Sequence, residues 1–201
     1  MINERAVPVD LQEYVDAVFE ILCDSADAES AADELTDFFA DIIDAGVEFT
    51  ADDLDSDTVV NAYFDPENYS EGDDAIEVEI LAGDDWAENT AECMRIAREI
   101  VDALEHELTH VAQFDKKHVK RMRKNRTPAE YMSDPDEIDA FAVNIARELV
   151  RTQGSKQAAI DKLRSGKISV SDSPNLAGYV NDADAASVKR ILKRTFEYLI
   201  G

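Results

Sequence analysis

Two histidines and a glutamate in residues 103–112, A-L-E-H-E-L-T-H-V-A, have the types and spacing to do chemistry. His106, Glu107 and His110 form an H-E-x-x-H motif. On a helix, side chains four apart lie one above the other on one face, about 5–6 Å apart at Cβ. Two imidazoles so placed can grip one Zn²⁺, and the glutamate between them can act as general base toward water. The chain has three histidines, so two thirds of its imidazoles fall in this one turn. The bland alternative is an ordinary helix with two histidines one turn apart. The uncharged neighbours Leu104, Leu108, Thr109, Val111 and Ala112 favour a buried helix with a polar face.

A catalytic zinc takes three protein ligands and keeps its fourth position open. His118 is the remaining histidine, but on a continuing helix it falls two turns beyond His110, about 12 Å along the axis. The compact H-E-x-x-H-x-x-G-x-x-H pattern needs glycine at 113 and histidine at 116, where this chain has Gln113 and Lys116. A carboxylate from a following helix is the other source. Asp134-Pro135-Asp136-Glu137 is a helix start, and Glu137 falls at the border of that helix's apolar face, within reach of a cleft. Asp136 points away from the core and Asp139 lies on the opposite flank. Glu137 is also placed to close a capping box with Asp134, so both roles stay open for it.

The elements that must position these residues show in the periodicity. Residues 10–22 read as a helix opened by an Asp10/Glu13 capping box, and residues 28–45 as a second, stopped by Gly46. Residues 58–64 are β-branched and aromatic, and residues 75–81 alternate Ile76, Val78 and Ile80 with Glu77 and Glu79. These predict an antiparallel hairpin with a long, turn-rich connection. The central helix is expected to start near Asp84 or Asp85. Its stripe of Met94, Ala97, Val101, Leu104, Leu108 and Val111 lies about 160° from the histidines, so burying it turns them toward a cleft. Thr127-Pro128-Ala129-Glu130 is a further helix start. Ile138, Phe141, Ala142, Ile145 and Leu149 line the helix that carries Glu137. Residues 165–179 read as loop, and residues 184–200 as a last amphipathic helix. The fold class expected is α+β, mostly helical, with a small antiparallel sheet beside the histidine helix. Residues 1–57 are expected to form an acidic helical segment and residues 58–201 the domain that carries the motif, with a single compact domain as the alternative.

The 201 residues hold 45 acidic and 20 basic side chains, a net of −25. Residues 1–94 carry 29 acids and one base, Arg5, whereas residues 95–201 carry 16 acids and 19 bases. Such asymmetry fits a solvated acidic face, a surface for a basic partner, or a docking face for the basic run 116–126, where seven of eleven residues are Lys or Arg. Phosphate would be repelled from the acidic half, which disfavours nucleic-acid binding there. No aromatic interleaving in the basic run supports base stacking. No leader pattern or membrane-length apolar run is seen, and Cys23 and Cys93 imply no disulfide framework. A cytoplasmic location is therefore expected.

With H-E-L-T-H followed 27 residues later by Glu137-Ile138-Asp139-Ala140, the chain resembles the zincin metallopeptidases with a glutamate third ligand, the gluzincins. The form Glu137-x-x-Ala140 opening a helix, after Tyr131 and a proline, is similar to small zincin-like proteins of bacteriophages and bacteria, for which the host cytoplasm is the expected location. The likeness covers roughly residues 58–150 and implies Zn²⁺ on His106, His110 and Glu137, with Glu107 as general base in peptide-bond hydrolysis. It further implies that the strand at 75–81 runs along the cleft edge and pairs with an extended peptide or protein substrate. An oxyanion donor is also implied, for which Tyr131 and His118 are the candidates. Thermolysin-like members orient a histidine with an aspartate four residues after the ligand glutamate; here that position is Phe141, so support for the histidines must come from elsewhere. The reading of another class is a zincin-like fold kept as a catalytically silent binding protein, engaging a basic partner through its acidic half.

Overall fold

The computed structural model describes residues 11–83, 86, 89–117 and 127–201. The chain divides into two compact units, Met1–Lys116 and Lys117–Gly201. The first carries 34 acidic and four basic side chains, a net of −30, and the second 11 and 16, a net of +5.

In the first unit a 3-10 turn, Leu11–Tyr14, leads into α1 (Val15–Asp24) and α2 (Ala28–Ala40). Asp27 caps α2 by accepting from the Ser30 amide at 2.8 Å. The predicted capping box at Asp10 lies outside the described residues. Three strands follow: β1 (Val47–Asp53), β2 (Val59–Phe64) and β3 (Ile76–Ala82), with a short helix α3 (Pro66–Glu71) in the β2–β3 connection. The long helix α4 (Thr90–Lys117) closes the unit. Asn89 stands before it and accepts from the Glu92 amide at 2.9 Å. The start predicted near Asp84 or Asp85 lies outside the described residues.

The expected hairpin is present, with β2 antiparallel to β3 in the register Val60↔Ile80 and Ala62↔Val78. The sheet is nevertheless mixed, not antiparallel. β1 lies on the other side of β3 and runs parallel to it, Val47↔Ile76 and Phe49↔Val78, giving the order β1-β3-β2. This corrects two expectations. The sheet has a third strand, and residues 75–81 form its centre and not its edge. Both hydrogen-bonding edges of β3 are occupied by protein strands, so β3 cannot pair with a substrate.

One face of the sheet sends Val47, Phe49, Val78 and Ile80 into a core with Leu22 and Leu35 of the first helices and Ile96, Ile100 and Leu104 of α4. Residues 11–53 therefore share one core with β3 and α4, and the expected break after residue 57 lies inside this unit. The other face places Glu48 beside Glu77 and Thr50 beside Glu79. Asn61 Nδ2 donates to Glu79 Oε2 at 3.1 Å, and the Tyr63 hydroxyl donates to Glu77. That hydrogen bond pushes the Tyr63 phenol up to about 12. Cys23 and Cys93 are both free, and burial pushes the Cys93 thiol up to about 11.

Gly46 turns the chain from α2 into β1 at φ +70. A Cβ there would meet Asp74 Cα at 2.9 Å and Asp74 Oδ1 at 2.4 Å. The left-handed backbone alone costs a non-glycine residue about 1–3 kcal/mol. Gly46→Ala is expected to destabilise the chain by at least that much, read as a lower urea midpoint with an unchanged slope.

The second unit is helical: α5 (Pro128–Ser133), α6 (Pro135–Gln153), α7 (Lys156–Arg164), a 3-10 turn Val170–Asp172, α8 (Pro174–Asp182) and α9 (Ala185–Ile200). Thr127 and Glu130 form the capping box read from the sequence. Asp134 caps α6, accepting from the Asp136 amide at 3.0 Å. Residues 174–179, expected as loop, belong to α8. Ser173 accepts from the Leu176 amide at 2.9 Å ahead of Pro174, the same cap-plus-proline signature that opens α5 and α6. Glu148, only 2% exposed, holds this corner by accepting from Ser173 Oγ and from Asn175 Nδ2 at 2.8 Å. Ile138, Ala142, Ile145 and Leu149 of α6 pack with Ile160, Leu176, Tyr179, Ile191 and Leu199.

Asp172 ties three elements together. It accepts from Lys162 of α7, from the Ser169 amide at 2.8 Å and from Gln153 of α6 at 3.4 Å. The Lys162 ammonium, then the Ser169 amide, hold its carboxyl below its ordinary 3.8. A depressed carboxyl stabilises above its unfolded pKa and loses that contribution as pH falls through the folded value. Asp172→Asn is expected to cost about 1–3 kcal/mol at pH 7, the size of a charged hydrogen bond. The gap to the parent should narrow below pH 3.8, checked by thermal melts across the acid range.

Candidate metal centre

Helix α4 is buried on more than its apolar stripe. Ala97, Ile100, Val101 and Leu104 are wholly enclosed. So, within 9% exposure, are seven polar side chains: Asp102, Glu105, His106, Glu107, Thr109, His110 and Gln113. Buried polar groups are tolerated where they have partners. Five of them fall into two sets around the helix.

The first set faces the 3-10 turn at Leu11. Glu105, 1% exposed, accepts from the Leu11 amide at 2.9 Å and from Gln12 Nε2 at 3.1 Å. Gln12 Nε2 also donates to Asp102 Oδ1 at 3.2 Å. The residue preceding His106 is thus held by the start of the chain's first helical segment.

The second set is the stripe His106, His110 and Gln113, at steps of four and three. The two imidazoles stand edge to face, with ring centroids 4.9 Å apart and Nε2 atoms 3.2 Å apart. His110 Nδ1 lies 2.8 Å from Gln113 Oε1. The third member of the cluster comes from the first turn of α6. His106, His110 and Glu137 are all buried, and each offers a ligand atom within 4.8 Å of the others. Glu137 is 1% exposed and sits at the third position of its helix, where the dipole favours the ionised carboxylate.

The donor set fits a divalent cation. Two nitrogens bound tetrahedrally at about 2.0–2.1 Å stand about 3.3 Å apart, and the Nε2 atoms here stand at 3.2 Å. The buried His106, His110, Glu137 group could therefore hold a metal ion. Glu107, 7% exposed, follows the first of these histidines and is not one of the three.

The sequence reading named all three members of this group. Of its other candidates, Tyr131 lies in α5 with its ring edge-on to Phe141, centroids 6.3 Å apart. Asp139 pairs with Arg194 of α9 at 2.7 Å, away from any metal role. His118 and residues 118–126 of the basic run lie outside the described residues. In the sequence alone Gln113 shows only as the wrong residue for a compact ligand pattern. Its seven-residue step from His106 was the available signal.

No family model, curated protein or solved structure matches this chain. Among the described residues, no helix is long and apolar enough to cross a membrane.

Proposed function

We propose that the protein is a zinc-dependent peptidase of the gluzincin type, with His106, His110 and Glu137 as metal ligands and Glu107 as general base. The observation that carries this reading is the convergence of those two imidazoles with one buried carboxylate among 45 acidic side chains. A His₂Glu set with nitrogens at this spacing suits zinc, which needs three protein donors and an open position for catalysis. Bound there, the cation supplies Lewis acidity toward a water molecule and a scissile carbonyl. Glu107 accepts the proton from the attacking water and delivers it to the departing amine. Glu107 is 7% exposed and lies on the same helix as the two histidines. Tyr131 and His118 are the candidate donors to the developing oxyanion.

An extended peptide or protein is the substrate class. Since β3 is the central strand, any strand-like pairing must use an outer strand of the sheet. The test is metal analysis of protein purified without chelators, followed by cleavage of an unfolded protein mixture before and after 1,10-phenanthroline. Stoichiometric zinc and a cleavage activity that phenanthroline removes and zinc restores support the reading. Protein free of zinc that also takes up none on titration would overturn it.

A second reading has its own observation. The outer sheet face, with Glu48 beside Glu77 and a first unit of net −30, suits a basic protein partner bound without hydrolysis. A partner retained equally by the parent and by Glu107→Gln, with no cleavage by either, would favour it.

A further inference from the structure

We propose that Gln113 is the positioning residue of the metal centre: its side-chain carbonyl accepts the His110 Nδ1–H and so fixes His110 in the tautomer whose Nε2 lone pair faces His106. This rests on the metal-centre reading above. A neutral imidazole carries one proton on either nitrogen, and the hydrogen bond made by one nitrogen decides what the other can do. His110 Nδ1 lies 2.8 Å from Gln113 Oε1, and the two side chains are 5% and 9% exposed. Water therefore competes poorly for that proton. Both residues belong to α4, three positions apart, so the helix itself sets their geometry.

The far nitrogen of the same ring is the one that lies 3.2 Å from His106 Nε2. A proton there would block it as a ligand. Held on Nδ1 by Gln113, the proton leaves Nε2 as a lone pair before any metal arrives. The role is one that carboxylates and backbone carbonyls fill at many metal sites, where losing the outer partner typically costs about 10–100-fold in metal affinity. Phe141, four residues after Glu137, has no polar atom to offer. Gln113 supplies the acceptor from the histidine helix itself, and it does so without a formal charge.

The tautomer can be read in chelator-treated, ¹⁵N-labelled protein from long-range ¹H–¹⁵N correlations of the imidazoles, assigned with His106→Gln and His118→Gln. The expected result is His110 protonated at Nδ1, and a mixture of tautomers in Gln113→Leu. Zinc competition against a chelating dye should show about 10–100-fold weaker binding by Gln113→Leu. Gln113→Glu, which keeps the acceptor, should restore it. His110 protonated at Nε2 in the parent would overturn the proposal, as would parental zinc affinity in Gln113→Leu. If Gln113→Leu fails to fold, the parent's tautomer decides alone. Failure of the parent to bind zinc would remove the metal reading, while the tautomer would still show whether Gln113 sets the ring.

Discussion

Glu107→Gln is expected to abolish peptide hydrolysis while leaving zinc in place. The change removes a base and leaves shape and size nearly as they were, one carboxylate oxygen becoming a donor amide. General acid–base catalysis by a positioned side chain contributes about 10²–10⁴-fold, so the variant should lose at least about 10²-fold in kcat. Its zinc content and melting midpoint should match the parent's, because Glu107 is not one of the three grouped ligands. Metal analysis beside cleavage of a quenched peptide separates the two effects. Loss of zinc together with activity would move Glu107 into the ligand set. Retained activity would remove it as the base.

Glu137→Ala should act on the metal first and on the reaction only through it. Deleting one of three protein donors should weaken zinc by at least the roughly 100-fold that outer partners reach. The consequence for stability follows from linkage, since a ligand that binds only the folded chain stabilises by RT ln(1 + [L]/Kd). Zinc at a thousand times the parent Kd adds about 4 kcal/mol, and after a 100-fold loss it adds about 1.4 kcal/mol. The zinc-dependent rise in melting temperature should therefore shrink to about a third. A variant that still gains the full rise would exclude Glu137 as a ligand. One that melts far lower even without zinc would show that the carboxylate also holds α6 at its first turn, the other role its position allows.

The grouping of His106, His110 and Glu137 is legible in the sequence because these residues lie on helices whose apolar stripes are regular. The stripe of α4 put the histidines opposite Leu104, and Leu104 is wholly buried. The stripe of α6 put Glu137 beside Ile138, 4% exposed and in the core of the second unit. Caps were equally plain where a Ser, Thr or Asp precedes proline, and α8 shows that the same signature at Ser173-Pro174 was there to be used. What periodicity could not carry was pairing. β1 spans seven residues whose alternation of Val47, Phe49 and Ala51 fades into Asp52 and Asp53, and nothing local tells a strand that its partner lies beyond an intervening hairpin arm. The consequence was large, since β1 converts the expected edge strand into the centre of the sheet. The acceptor for His110 was hidden for another reason. Glutamine three residues along a helix is commonplace, and only the ring orientation of His110 makes Gln113 its partner.

The parallel pairing of β1 with β3 bears on how the chain is made. Synthesis delivers β1 well before β3, and β1 has no strand to bond until residues 76–82 have left the ribosome. The Leu11 amide waits longer still, for Glu105, 94 residues downstream. The stretch from residue 11 to 75 must therefore remain without its complete sheet until residues 76–82 emerge, a situation in which exposed strand edges invite self-association. Its run of acidic side chains, with a single basic residue before position 95, gives the growing chain like charge along its length. Mutual repulsion then keeps neighbouring chains on a polysome apart until α4 arrives and the core can close. A nascent chain halted before residue 76 should stay protease-sensitive, and one extended past residue 117 should become resistant in its first unit.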